Sequence, residues 1–178
     1  NFDQDIWQNY RIKIDKNETE STCKFLEKSS NKEVANFTFY NSVIYCKTEI
    51  INGKEVLLVA DHSGGESGGF YNINLIYKKN KIEKVSINDL SGYLNFEIID
   101  ANDDGKKELI IDSNKCFGVK FKVKDLKDEV NLTPEIHLGI IGSYKEIYIF
   151  DDTKLKNVTF DKKYFSYLSK FTSDTEKK

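Results

Sequence analysis

Phe96-Glu97-Ile98-Ile99-Asp100-Ala101-Asn102-Asp103-Asp104-Gly105-Lys106-Lys107-Glu108-Leu109-Ile110-Ile111 carries an apolar run, a turn crowded with oxygen donors, and a second apolar run. The flanks, Phe96 to Ile99 and Leu109 to Ile111, are short and rich in β-branched residues, which predicts two strands joined by the turn. Alternate side chains of a tight loop can face inward, so Asp100, Asn102 and Asp104 can converge on one hard cation. Gly105 permits the sharp bend, Lys106 offers its backbone carbonyl, and Glu108 returns a carboxylate from the start of the second strand. An all-oxygen set of this kind suits Ca2+, which accepts roughly six to eight oxygens in forgiving geometry. An EF-hand is excluded, because its loop needs a bidentate Glu at the twelfth position and a helix on either side. Here the twelfth residue is Ile111 and both flanks read as strands. The same residues also suit a plain Asp-Asp-Gly turn, since Asp and Gly favour turns for purely local reasons.

Asp100, Asn102, Asp104, Gly105, Glu108 and Leu109 match, position by position, the pattern D-x-[DN]-x-D-G-x-x-[DE]-L. The stretch therefore resembles the calcium loop of FG-GAP-type repeats, which links two strands of a blade in integrin-like β-propellers and in many bacterial cell-surface and secreted proteins. Glu108 stands where Asp is more usual. The resemblance is carried by this loop and is loose over the rest of the chain. It implies a Ca2+ cofactor held by Asp100, Asn102, Asp104, the Lys106 carbonyl and Glu108, and a place outside the cytosol.

Composition bounds the remaining possibilities. A chain of 178 residues with 39% hydrophobic and 13% aromatic residues can bury a real core, so we expect a single β-rich domain over 1–172 and a frayed tail over 173–178. The formal charge of −2 gives no electrostatic reason to expect nucleic acid, and Arg11 is the only arginine, so the planar fork that suits phosphates and base edges is nearly missing. No apolar run approaches the length of a membrane span. The sequence starts at Asn1 and contains no Met, for which a removed leader is the favoured reading and a trimmed cytosolic chain the alternative. Cys23, Cys46 and Cys116 form no C-x-x-C pair, arguing against a zinc ribbon; a Cys23–Cys46 bridge is the favoured pairing in a secreted setting, with buried thiols as the alternative. Four N-x-[ST] sequons, at Asn17, Asn36, Asn131 and Asn157, carry little weight in so Asn-rich a chain.

Outward from the loop, period-two alternation predicts strands over 5–15, 34–40, 42–51, 54–61, 70–78, 81–87 and 136–141, with a polar loop over 16–21. Asn52-Gly53 is a strong two-residue hairpin signal. The second half repeats the first in outline: Lys107-Glu108-Leu109-Ile110-Ile111 echoes Lys54-Glu55-Val56-Leu57-Leu58, and 145–159 aligns with 72–86, with a coincidence between two ordinary amphipathic hairpins as the alternative. Repeated strand-hairpin units predict a mainly β fold, an antiparallel meander of propeller-blade-like units or a two-sheet architecture. Blades of roughly 40–50 residues would not complete a ring. One short C-terminal helix is expected over 162–171, capped by Asp161, with Tyr164, Phe165, Leu168 and Phe171 on its buried face.

The segment Asp61-His62-Ser63-Gly64-Gly65-Glu66-Ser67-Gly68-Gly69 raises one catalytic alternative. It matches G-x-S-x-G and is similar to the GDSGG segment of trypsin-like proteases, so Ser67 is a candidate nucleophile with His62 as its base. Against this, a strand rather than a helix is expected after Ser67, and too little chain precedes it for a first barrel. His62 and His137 are the only histidines and no three-ligand zinc pattern exists. A Gly-rich loop that contacts a partner is the simpler reading, with His62, Gly64, Gly65, Ser67 and Phe70 as the guessed binding edge.

The expectation is thus a non-catalytic, extracytoplasmic binding protein (periplasmic, secreted or on the cell surface) with a Ca2+-stabilised hairpin loop and a protein partner. A toxin-neutralising immunity or inhibitor protein and a surface module are its concrete forms. A hydrolase using Ser67 and a purely structural domain of a larger assembly are the alternatives.

Overall fold

The computed structural model of the chain describes residues 6–40, 42–62, 70–91, 94–113 and 144–172. Among these, twelve strands form three antiparallel four-stranded sheets, followed by one short helix, and no sheet closes into a barrel. The first sheet is β1 (Ile6–Trp7), β2 (Tyr10–Lys16), β3 (Glu20–Glu27) and β4 (Glu33–Tyr40). The second is β5 (Ser42–Ile51), β6 (Lys54–His62), β7 (Phe70–Lys78) and β8 (Ile82–Ser91). The third is β9 (Phe96–Ile99), β10 (Glu108–Ser113), β11 (Tyr144–Asp151) and β12 (Lys154–Asn157). Every sheet runs up and down in chain order, so the predicted antiparallel meander is realised three times over.

Turn chemistry sets several registers. Asn52 and Gly53 adopt φ of 51° and 74°, the left-handed pair that a two-residue hairpin turn requires, and they pair Ile51 with Lys54. The expected strand over 5–15 is broken: Gln8, at φ 52°, folds β1 back on β2 and pairs Trp7 with Tyr10. The expected loop over 16–21 is shorter than anticipated. Asn17 accepts the Thr19 and Glu20 amides at 2.9 and 2.6 Å, and β3 begins at Glu20. The expected strand over 136–141 lies outside the described residues.

The sheets stack in layers. Trp7, Ile12, Cys23, Phe25 and Phe39 from the first sheet pack against Val43, Cys46, Leu57, Val59, Ile76 and Ile82 of the second. The opposite face of the second sheet (Ile51, Val56, Leu58, Ile73, Leu75, Tyr77 and Leu90) packs on Leu109, Ile111 and Phe150 of the third. Successive residues of a strand point to opposite faces, so a strand buried on both sides reads as an unbroken apolar run. Val56-Leu57-Leu58-Val59-Ala60 is such a run, and each of its residues is completely buried. The outer face of the first sheet ends the stack with charge: Asp15 pairs with Lys24 at 2.8 Å and Lys13 at 3.0 Å, which hold its carboxyl below the usual range.

The internal repeat falls on equivalent strands. β6 and β10 are the second strands of their sheets, β7 and β11 the third, β8 and β12 the fourth. Leu75 and Tyr77 align with Tyr148 and Phe150, and all four lie in the same core layer, with the Tyr77 and Phe150 rings 5.0 Å apart. The second and third sheets therefore meet through equivalent faces, a pseudo-two-fold sandwich. Successive propeller blades pack differently, each setting one face against the opposite face of the next. The two-sheet reading describes this half of the molecule, and the first sheet adds a further layer.

At the C-terminal end, the Asp161 side chain accepts the Lys163 amide and caps a single 3-10 turn, Lys162–Tyr164, which runs into helix α1 (Phe165–Thr172). Tyr164 and Tyr167 pack with Ile110 and Ile147 on the outer face of the third sheet, and Leu168 joins them. Phe165, expected on the buried face, is instead 52% exposed. From Tyr164, residues 167 and 168 follow at i+3 and i+4 on one face of the helix, while residue 165 is turned about 100° away from it. The side chain of Phe171 and residues 173–178 lie outside the described set. No described helix is long and apolar enough to cross a membrane.

Cys23 and Cys46 correct the expectation of a bridge: both are buried free thiols. They come from facing sheets and are packed as apolar side chains in the core those sheets share. Burial pushes the Cys23 thiol up to about 12 and that of Cys46 to about 11. At pH 8 a thiol near 12 is thiolate in only about one molecule in ten thousand. We therefore expect a maleimide to label Cys23 and Cys46 slowly in the native protein and rapidly in denaturant, read by peptide mapping. Fast native labelling of either residue would contradict this packing. Cys116 lies outside the described residues.

Candidate functional site

The loop between β9 and β10 is where the sequence placed it, at the corner of an antiparallel hairpin in which Ile99 pairs with Glu108. Its polar side chains fold the loop around themselves. The Asp100 carboxylate accepts the Asp104 amide at 3.1 Å and the Gly105 amide at 2.7 Å. Asn102 Oδ1 also accepts the Asp104 amide, at 3.0 Å, while Asp104 Oδ1 accepts the Lys106 amide at 2.9 Å. Asp103 and Gly105 take positive φ, 59° and 82°, which lets consecutive amides turn inward; the glycine does so without steric cost. The Asn52 amide donates to the Lys107 carbonyl at 2.7 Å, tying this loop to the equivalent turn of the second sheet.

Charge within the loop is uneven. Asp104 is exposed; the Lys106 amide chiefly, with the Asn102 side chain and nearby lysines, holds its carboxyl below the usual range, so it is ionised at neutral pH. Its Oδ2 receives the Asn102 side-chain amide at 3.1 Å and faces the Lys163 ammonium at 4.0 Å. Glu108 is different, being 1% exposed. Its Oε2 accepts the Ala101 amide at 2.9 Å and its Oε1 accepts the Tyr164 hydroxyl at 3.1 Å, both neutral donors. No lysine, arginine or histidine among the described residues forms an ion pair with it. Burial, then the neighbouring Glu108 charge, raises the Tyr164 hydroxyl well above the ordinary phenol range, so it stays protonated and donating.

Asp100, Asn102, Asp104, Lys106 and Glu108 are thus gathered on one loop. Their carboxylates turn mainly to backbone amides, and no three His, Cys, Asp or Glu side chains among the described residues converge as a metal cage. The donor chemistry nevertheless fits a hard cation: every donor is oxygen, Asp100 and Asp104 are exposed or half-buried, and Glu108 contributes a buried carboxyl group with no cationic partner among the described residues.

The second suggested region divides. Gly64, Gly65 and Ser67 lie outside the described residues, while His62 and Phe70 flank them at the ends of β6 and β7. His62 pairs across the ladder with Tyr71, ring centres 4.6 Å apart, and Phe70 is half exposed. Asp61 does not serve His62. Adjacent strand residues face opposite ways, and the Asp61 carboxylate is buried between the first two sheets. There it accepts the Tyr40 amide at 2.9 Å, the Asn74 side chain at 2.9 Å and the Asn72 side chain at 3.1 Å. Asn74 Oδ1 in turn accepts the Ser86 hydroxyl at 2.6 Å, and Asn72 Oδ1 the Asp89 amide at 3.1 Å. An Asp61–His62 relay to a nucleophile is therefore not assembled. Sequence reasoning missed this network, although two asparagines on one face of the apolar run Tyr71 to Tyr77 were its available signal.

An open groove of about 550 Å³ lies between β5 and the start of the third sheet, lined by Ile44, Tyr45, Glu49, Leu94, Phe96 and Ile98 among others. Tyr45 donates to Glu49 at 2.7 Å and meets the Phe96 ring edge-on at 5.0 Å.

No family model matches the chain, and neither a curated protein nor a solved structure matches it. The resemblance to calcium-loop repeats therefore rests on the loop residues alone.

Proposed function

We propose that this is a non-catalytic, extracytoplasmic protein-binding domain whose β9–β10 loop takes up Ca2+ through Asp100, Asn102, Asp104, the Lys106 carbonyl and Glu108. The observation that supports the reading most is the buried Glu108 carboxylate, which among the described residues meets only neutral donors, at the corner of an oxygen-rich hairpin. An unpaired buried charge is costly, and a nearby cation relieves that cost. When bound, the ion would supply electrostatic cross-linking of the hairpin rather than chemistry on a substrate. Asp100 would keep the loop backbone folded by holding the Asp104 and Gly105 amides, while Asn102 and Asp104 would exchange their mutual hydrogen bond for the ion. Loops of modest affinity fill where Ca2+ is near millimolar, which favours a periplasmic, secreted or cell-surface setting. A toxin-neutralising immunity or inhibitor protein, or a surface module, would use such a stiffened β scaffold to present a binding edge. A purely structural domain is the second reading, favoured by the Tyr164–Glu108 hydrogen bond, which already ties the loop to the C-terminal helix.

The test is a melting experiment after chelation. With a Kd of roughly 0.1–1 mM, adding about 10 mM Ca2+ stabilises by about 1.4–2.7 kcal/mol. For a chain of this size that raises Tm by about 3–10 °C. Asp100→Ala abolishes the increment, and an unchanged Tm in the wild-type protein would remove the metal from the proposal. Capture of a stoichiometric toxin-like partner distinguishes the immunity role from the structural one.

A further inference from the structure

We infer that the first turn of the C-terminal helical segment is part of the ion site, with Tyr164 positioning Glu108 and Lys163 standing as the internal cation that Ca2+ displaces from Asp104. The inference rests on the calcium reading and extends it to residues that the loop pattern does not contain.

Three observations carry it. First, Tyr164 is completely buried against Ile110 and Ile147, so its ring is fixed by packing and its hydroxyl cannot swing away from Glu108 Oε1. With Oε2 held by the Ala101 amide, the carboxylate is gripped at both oxygens and its plane is set before any ion arrives. Each oxygen has a further lone pair, so both grips are compatible with ligation. Partners that orient a ligating side chain typically alter metal affinity by about 10–100-fold when removed. Second, a glutamate side chain is long and rich in rotamers, and such an arm needs a fixed support to present its oxygen reproducibly. Tyr164 supplies that support from 56 positions further along the chain. Third, the neighbouring residue, Lys163, places its ammonium 4.0 Å from Asp104 Oδ2, with the two side chains 44% and 43% exposed. So loose a pair is weak and screened by salt, yet its charge is of the sign that the exposed carboxylate would otherwise draw from solution. Asp161 caps the turn that carries both residues, so they arrive as one unit.

Calorimetric titration of the full chain with Ca2+ tests this, using Tyr164→Phe and Lys163→Gln. Tyr164→Phe keeps the buried ring and removes only the hydroxyl; the expected result is a Kd about tenfold weaker. Lys163→Gln, a surface change that leaves the fold intact, is expected to tighten Kd by about two- to fivefold at low ionic strength, an advantage that fades as salt is raised. A merely structural tyrosine would lower Tm without moving Kd. Equal affinities for all three proteins would overturn the inference while leaving the calcium loop standing. If the wild-type chain takes up no Ca2+, the reading beneath it fails as well. If Tyr164→Phe does not fold, Lys163→Gln decides: unchanged affinity at low salt overturns the exchange of Lys163 for the ion.

Discussion

Leu57→Ala and Leu58→Ala are each expected to lower the unfolding free energy by about 2–5 kcal/mol, measured by chemical denaturation. The pair is informative because adjacent residues on β6 point to opposite faces. Leu57 packs on the first sheet and Leu58 on the third, and both are completely buried. In a two-layer sandwich one of the two would face solvent, and its truncation would cost little. Comparable large losses at both positions are therefore a signature of a central sheet covered on both sides. A loss below about 1 kcal/mol at either one would contradict the stacking.

Asp61→Ala is expected to cost about 3–5 kcal/mol, with Asp61→Asn costing less. Truncation strips the Tyr40 amide and the Asn72 side-chain amide of this acceptor in a buried interface and leaves the Asn74 side-chain amide only the Val59 carbonyl at 3.3 Å. Asparagine keeps one acceptor oxygen but turns an N–H2 group toward other donors. Lys84 worsens the deficit. Its ammonium lies 5.0 Å from the Phe39 ring centre and 5.9 Å from that of Phe37, where burial pulls its pKa down and Asp61 pulls the other way. Removing Asp61 takes away the compensating charge. A wild-type-like denaturation midpoint for Asp61→Ala would show that water enters this interface freely.

Much of the β architecture was legible where local and tertiary signals agree. β5 and β7 have the predicted limits, because Asn52-Gly53 dictates one turn and the Gly-rich segment interrupts the chain before Phe70. β3 was hidden. Its inward residues Ser21, Cys23 and Phe25 alternate correctly, but a serine and a cysteine look neutral beside the charges around them. The layering was only half legible: the continuous apolar run of β6 signals burial on both faces without saying what covers each. The candidate loop was visible because all of its donors fall within nine consecutive residues. Tyr164 was not, since it reaches Glu108 through a helix docking angle that no short pattern encodes. The phase error at Phe165 has the same origin, since the docking of the helix decides which edge of its apolar stripe meets the sheet, and here Tyr167 takes that place.

The pairing of the second and third sheets through matching surfaces has a consequence for how such a molecule can be assembled. A surface that fits its own counterpart is isologous, the property that defines the contact in two-fold homodimers. A meander made alone with such a face would leave it exposed, and a second copy of the same sheet is one surface able to cover it. Placing both copies on one polypeptide turns that encounter into an intramolecular event at an effective concentration of roughly millimolar or above, independent of how much protein is present.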